Sequence, residues 1–436
     1  MTRSVRWIQV VVALLALGAT RAQAVVTGSI FGPGSNAFPI AVVPLKNLGG
    51  DADARLGNAF ARALSRDLDF SGYFKLVDPK TFIEDPQNSG ITADAIDFVG
   101  WGSLGAQALV KGGITVAGGG ATVEVRLFDV PGRKDVPAVS RRFNGSVSDV
   151  PRMAHKIADA ILEFLTGERG PFDSQIALTR GRPLKDVYVW TFDRDEPVKV
   201  TDERSIVVGP RWRPDLHAIA FVSFREHIQH LFQVDLGSKQ VTRLVPGPGA
   251  VLSASWSPDG SKLLITRDEG GNTDIFLVDR NGANLQRLTD HWAIDVSPTW
   301  APDGKRFAFC STRAGSPQIY VMGIDGSGLE RVSRVGNYNT SPAWAPKGDH
   351  IAYATRTGGG FQIVVASADG SGGETITSGG SNEDPSWGPD GRYLVFSSED
   401  GGRRRLVLED LHGKTRKELT RGSGDDTSPS WSPRPD

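Results

Sequence analysis

Four short polar clusters stand just ahead of tryptophan-containing segments: "HWAID", "NYNT", "SNED" and "GDDT". They supply Asp295; Asn337, Tyr338, Asn339 and Thr340; Asn382, Glu383 and Asp384; and Asp425, Asp426 and Thr427. Carboxylates and amides in this density can accept hydrogen bonds from a peptide, hold a cation, or act on a glycosidic bond. Glu383 and Asp384 are the natural candidates for a polysaccharide lyase or glycosidase. Neighbours on a strand face opposite ways, however, and seldom act as a pair. Solvated turn chemistry is the plain alternative for all four clusters.

Other motifs carry less. "GWGSLG" (Gly100 to Gly105) matches a dinucleotide fingerprint, but a strand-like run, "ALVKGGI", follows almost at once where a long helix is needed. It reads as a turn and short helix. No G-x-S-x-G nucleophile elbow exists in the sequence, which argues against a peptidase. His227 and His230 form a lone H-x-x-H without a third ligand nearby. Arg403, Arg404 and Arg405 read as a solvated hairpin tip, and Cys310 in "RFAFCS" as a small buried hydrophobe.

The chain opens with a targeting pattern. Arg3 and Arg6 precede an apolar run from Trp7 to Ala19, too short to span a bilayer, and Ala22-Gln23-Ala24 supplies a small-x-small cleavage site. Residues 1–24 are the expected signal peptide, and a soluble, exported protein with no membrane span follows. No cysteine stands near the site, so no lipid anchor is expected. Of the 49 basic residues three lie in this segment (Arg3, Arg6 and Arg21), leaving 46 against 50 acidic ones. Such a balance offers no field for nucleic acid.

What must position the clusters is a repeat. Trp212, Trp256, Trp300, Trp344, Trp387 and Trp431 are spaced 44, 44, 44, 43 and 44 apart, within "PRWRPD", "ASWSPDG", "PTWAPDG", "PAWAPKG", "PSWGPDG" and "PSWSPRPD". Proline presets φ in such a turn and glycine closes it. Each turn is followed by short β-rich runs, as in "KLLITR", "DIFLVDR" and "LQRLT". Four short strands per 44 residues are the signature of a propeller blade. A second turn in each unit carries Asp193, Asp235, Asp279, Asp325, Asp369 or Asp410. The unit around Asp193 has three strands and lacks the first; Trp431 has the first and lacks the rest. The two fragments add up to one blade, so a ring of six closed by the C-terminal strand is expected over residues 171–436. The clusters then crowd one mouth of its channel, which is lopsided because "PGAVLS" and "SIVVG" are apolar there.

Residues 25–170 lack the repeat and read as an α+β domain: a mixed sheet and two main helices, preceded by an arm over residues 25–38. "PIAVVPL", "YFKLVD", "QALVKGGITV", "TVEVRLFDV" and "SRRFNGSV" read as strands. Leu56, Phe60, Ala63, Leu64 and Leu68 share one helical face; Val150, Ala154, Ile157, Ala158, Ile161, Leu162 and Leu165 share another.

A leader, a small α+β domain and a six-bladed propeller with "SPDG" turns, in that order, resemble the TolB family, the periplasmic components of Tol–Pal systems. "PIAVVPL", the "LG" before "AQALVKGGI", and the W-S-P ending carry the likeness across essentially the whole mature chain. The resemblance implies a binding protein rather than an enzyme. It implies that the channel mouth binds the lipoprotein Pal, and that the mature N-terminus, including Val25, Val26, Ile30 and Phe31, binds the inner-membrane protein TolA. Roles in outer-membrane integrity and cell division come with it. The family's His before one inner strand is replaced by the apolar "PGAVLSASW". A monomer without cofactors is expected, with a channel cation left open.

Overall fold

The computed structural model describes residues 37–50, 54–413, 415–422 and 424–435. The expected signal segment and the arm residues Val25, Val26, Ile30 and Phe31 lie outside them.

The first part of the chain builds a seven-stranded mixed sheet. Its strand Phe38–Val42 pairs in parallel with Phe74–Leu76 and Ala108–Ala117, and the antiparallel run Ala108–Ala117, Gly120–Asp129, Arg141–Ser146 extends it. Three helices accompany it: α1 (Ala54–Ser71), α2 (Phe98–Ser103) and α3 (Val150–Thr166). α1 buries Phe60, Ala63, Leu64 and Leu68, with Leu56 at the margin, as the 3.6-residue spacing predicts. α3 starts after a capping box, in which the Asp149 carboxylate accepts from Ser146 N at 2.8 Å, and ends at Gly167 with φ +80°. "GWGSLG" falls on the short α2, whose Trp101 is fully buried.

Six four-stranded sheets follow. Their inner strands are Asp426–Trp431 for the first blade, then Val207–Trp212, Val251–Trp256, Asp295–Trp300, Asn339–Trp344 and Ser381–Trp387 for the second to sixth. Each ends on its repeat tryptophan, 6–8 % exposed. In the tight turn that follows the inner strand, the Asp259 carboxylate accepts from Ser261 N, and Gly260 takes φ +66°. The first blade is shared: Asp426–Trp431 pairs antiparallel with Gln175–Arg180, which pairs with Asp186–Thr191. The ring is closed by the C-terminal strand as the repeat arithmetic predicts.

Asp235, Asp325 and Asp369 brace their turns by accepting backbone N–H groups two residues on. Asp410 does the same for His412 N at 3.1 Å, but it and Asp193 also reach beyond their turns. Asp410 is buried in an ion pair with Arg392, whose guanidinium lies between the Tyr73 and Tyr393 rings (4.4 and 4.7 Å) and donates to Ser71 O. Asp193 approaches His155 of α3. Both serve the contact between α+β domain and propeller, where Phe70, Phe172, Phe192, Tyr393 and Trp431 share one core.

Candidate functional site

In an antiparallel four-stranded blade, the start of the inner strand, the hairpin between second and third strands, and the link from the outer strand to the next blade all fall at one end. The predicted clusters therefore share one mouth. Each inner strand carries a bulge just inside it. In five blades the residue three before the tryptophan takes a left-handed φ of 51–58°: Gly209, Ser297, Ser341, Asp384 and Ser428. Proline follows each of them, and having no N–H it loses no ladder bond there. The bulge turns these five positions toward a channel of about 560 Å³.

The structure corrects the expectation that all four clusters offer free acceptors. Asp295, Asn339, Asn382 and Asp426 are 0 % exposed. Arg313 donates to Asp295 at 2.8 Å; Asn339 and Asn382 donate to the Gln318 and Gln362 side-chain carbonyls at 2.8 and 2.9 Å. Arg180 grips Asp426 through Nε and Nη2 at 2.6 and 2.9 Å, and this carboxylate raises the pKa of the guanidinium. These four residues staple strands and blades together. Thr427 is nearly buried, hydrogen-bonded to Thr179 and accepting from Lys185 Nζ at 2.8 Å. Burial, then the nearby Arg404, lowers the Lys185 pKa.

The remaining members do face the mouth. Asn337 and Tyr338 are exposed, and Thr340 is half-buried. Glu383 accepts from Arg404 at 3.1 Å on the rim, whereas Asp384 lies in the channel and accepts from Ser341 and Ser428 hydroxyls at 3.0 and 3.1 Å. The two carboxylates diverge, because the bulge aims one of them inward. Asp425 lies near Arg182. Val208 and Leu252 line the other side, giving the lopsided mouth. Among the described residues no three His, Cys, Asp or Glu side chains gather as a metal site.

Sequence reasoning missed two features. The first is an apolar rim: Leu184, Ile206, Ile228, Trp292, Ile294 and Tyr338 are 37–78 % exposed, Trp292 most of all. All sit in links or hairpins at the mouth end, so an apolar residue inside a loop was the available signal. The second is a ring of arginines at or beside the mouth ends of the strands: Arg180, Arg225, Arg267, Arg313, Arg356 and Arg404. Five pair with carboxylates. Arg356 instead stacks on the Tyr338 ring at 5.6 Å, and Phe361 meets that ring edge-on. In five blades the arginine lies near the end of the second strand or just past it and was legible only as a strand tail; Arg404 instead sits in the third strand of the sixth blade, where the sequence reads a hairpin tip.

These observations define a class of architecture: an α+β domain joined to a six-bladed propeller whose mouth is rimmed by exposed apolar side chains and arginines. The TolB amino-terminal domain matches residues 26–136 and the TolB beta propeller domain residues 162–435, so the chain belongs to the TolB family. It is similar to the Tol-Pal system protein TolB of Syntrophotalea carbinolica (36% identical over 211 residues, 48% of each chain). That of Desulfosudis oleivorans is 35% identical over 239 residues, 54% of each. The chain thus spans about half the length of the curated relatives it matches. The crystal structure of TolB from Acinetobacter baumannii aligns with a TM-score of 0.77 at 27% identity, covering 92% of this chain and 98% of that one. No helix among the described residues is long and apolar enough to cross a membrane.

Proposed function

We propose that this chain is the periplasmic, non-enzymatic protein-binding component of a Tol–Pal system. The propeller mouth takes the lipoprotein Pal, the N-terminal arm takes TolA, and the bridge supports outer-membrane integrity and cell division. The observation that carries the reading is the exposed apolar rim crowned by Trp292 and backed by Arg356 on Tyr338. Exposed aromatics and arginine are the residue types that anchor interfaces. The rival enzyme reading has less to stand on: Glu383 is engaged by Arg404 and Asp384 by two serines.

Titration of the purified protein with the soluble domain of its cognate Pal tests this. Trp292→Ala, and separately Arg356→Glu, should each weaken binding by about tenfold or more, the scale of a hot-spot truncation. Melting temperatures should stay unchanged, since both side chains are exposed. Parent protein that fails to bind Pal, or variants that bind as well as the parent, would sink the reading. Deleting residues 25–36 should abolish capture of TolA and leave Pal affinity intact; undiminished TolA capture removes the arm from the proposal.

A further inference from the structure

The channel wall one residue before each tryptophan consists of Arg211, Ser255, Thr299, Ala343, Ser386 and Ser430. Five are small and uncharged, so Arg211 is the one long cation at that depth. Its Nη1 donates to Pro210 O at 2.9 Å. Among the described residues no carboxylate lies within ion-pair distance of it, although five of the six ring arginines at the mouth have one. Asp384 is the charged group that faces Arg211 from the wall, and its two oxygens already accept the Ser341 and Ser428 hydroxyls. Arg434, at the far end of the channel, is spent on the carbonyls of Gly170 and Arg169.

The neighbouring hydroxyls are set for the same sign of ligand. Ser255 Oγ accepts from Trp300 N at 3.4 Å and Ser386 Oγ accepts from Trp431 N at 2.9 Å. Each hydroxyl keeps its proton free to donate into the channel. A guanidinium with most of its five donors uncommitted, next to hydroxyls with protons to donate, suits an oxyanion better than a cation.

We infer that the channel is an oxyanion site, with Arg211 as its binding residue and the Ser255 and Ser386 hydroxyls as supporting donors. This replaces the channel cation left open by the sequence. Burial lowers the Arg211 pKa, with Asp384 opposing, as befits a cation lacking its counter-ion. The oxyanion is either a free inorganic ion or a carboxylate that a partner threads through the mouth.

Thermal melts in phosphate against chloride at matched ionic strength, for the parent, Arg211→Gln and Arg211→Lys, address the free ion. The parent's melting temperature should rise saturably with phosphate. Arg211→Lys should respond weakly, having the charge without the planar fork, and Arg211→Gln not at all. Arg211→Gln should melt at or above the parent's temperature without phosphate, because an unpaired charge is gone. The same variants titrated with the soluble Pal domain address the partner's carboxylate. That source predicts no phosphate response and about a tenfold loss of Pal affinity in Arg211→Gln, the scale of one bidentate contact. An equal phosphate response in parent and Arg211→Gln overturns the site, and so does a response in neither titration. Loss of Pal binding by the parent itself would fell the proposed function while the phosphate melts still decide the site.

Discussion

Removing residues 426–436 should turn the sharp melting of the propeller into a broad, low-temperature loss of structure. The deletion takes the whole inner strand of the first blade. With it go the pairing of Asp426, Thr427, Ser430 and Trp431 with Gln175–Arg180, the Arg180–Asp426 grip, and the reciprocal bonds of Ser432 with Gln175. What remains is an open ring: a free strand edge at Gln175–Arg180 and a bare face at the sixth blade. Trp431 is 6 % exposed, donates from Nε1 to Ser174 Oγ at 2.8 Å and shares its core with the α+β domain. Trp431→Ala alone should therefore cost about 3–5 kcal/mol. Calorimetry of the truncated and substituted chains checks both, and a synthetic peptide of residues 426–436 should restore part of the transition. A truncated protein that melts as sharply and as high as its parent would refute closure as the source of propeller stability.

This closure was legible because it rests on local chemistry repeated six times. The W-x-P segment, completed by D-G in three of the six units, declares itself within five residues, and a strand missing at one end of the count has to be found at the other. The α+β helices were legible for the same reason, their apolar spacing being set by one helix alone. The mouth was legible only as a location. Asp295 and Asp426 look like free carboxylates in sequence because Arg313 and Arg180, which pair with them, come from a neighbouring hairpin and strand of the same blade. Asn339 and Asn382 are likewise claimed by Gln318 and Gln362 of the preceding blade. Asp384 escapes strand alternation through a bulge that spacing does not announce. Trp292 and Arg356 read as a loop residue and a strand tail until six blades bring their neighbours around one opening.

The joint between the two domains should depend on a buried histidine and should weaken as the solution turns alkaline. His155 of α3 meets Asp67 of α1 through Nδ1 at 2.6 Å, and its Nε2 lies 3.7 Å from Asp193 of the first blade. Burial opposes the charge on the imidazole, but the two carboxylates prevail and raise its pKa to about 10, while Asp193 falls to about 2. The two partners of the closest contact are not equally favoured. Burial outweighs His155 at Asp67 and pushes that carboxyl up, so the firmer direction is that of the imidazole, faced by two anions. One turn along, burial lifts Asp159 to about 7 even though it accepts from Phe172 N and Asp173 N. His155 and Asp159 therefore hold protons in the folded state that the unfolded chain has released, and stability falls wherever that holds as pH rises. Asp159 contributes the decline between its ordinary value of 3.8 and about 7, and His155 the decline between 6.5 and about 10. Asp193, shifted the other way, matters only below pH 4 or so, where its contribution is lost as pH falls towards 2. His155→Gln strands Asp67 without its counter-charge and should cost about 3–5 kcal/mol at neutral pH. It should also flatten the fall in melting temperature above pH 6.5 while keeping the fall below it. Leucine at both 67 and 155 removes charge and partner together and should recover most of the loss. Melts of the three proteins from pH 5 to pH 10 distinguish these outcomes, and a His155→Gln protein with the parent's stability and pH profile would show that the joint is held by its apolar core alone.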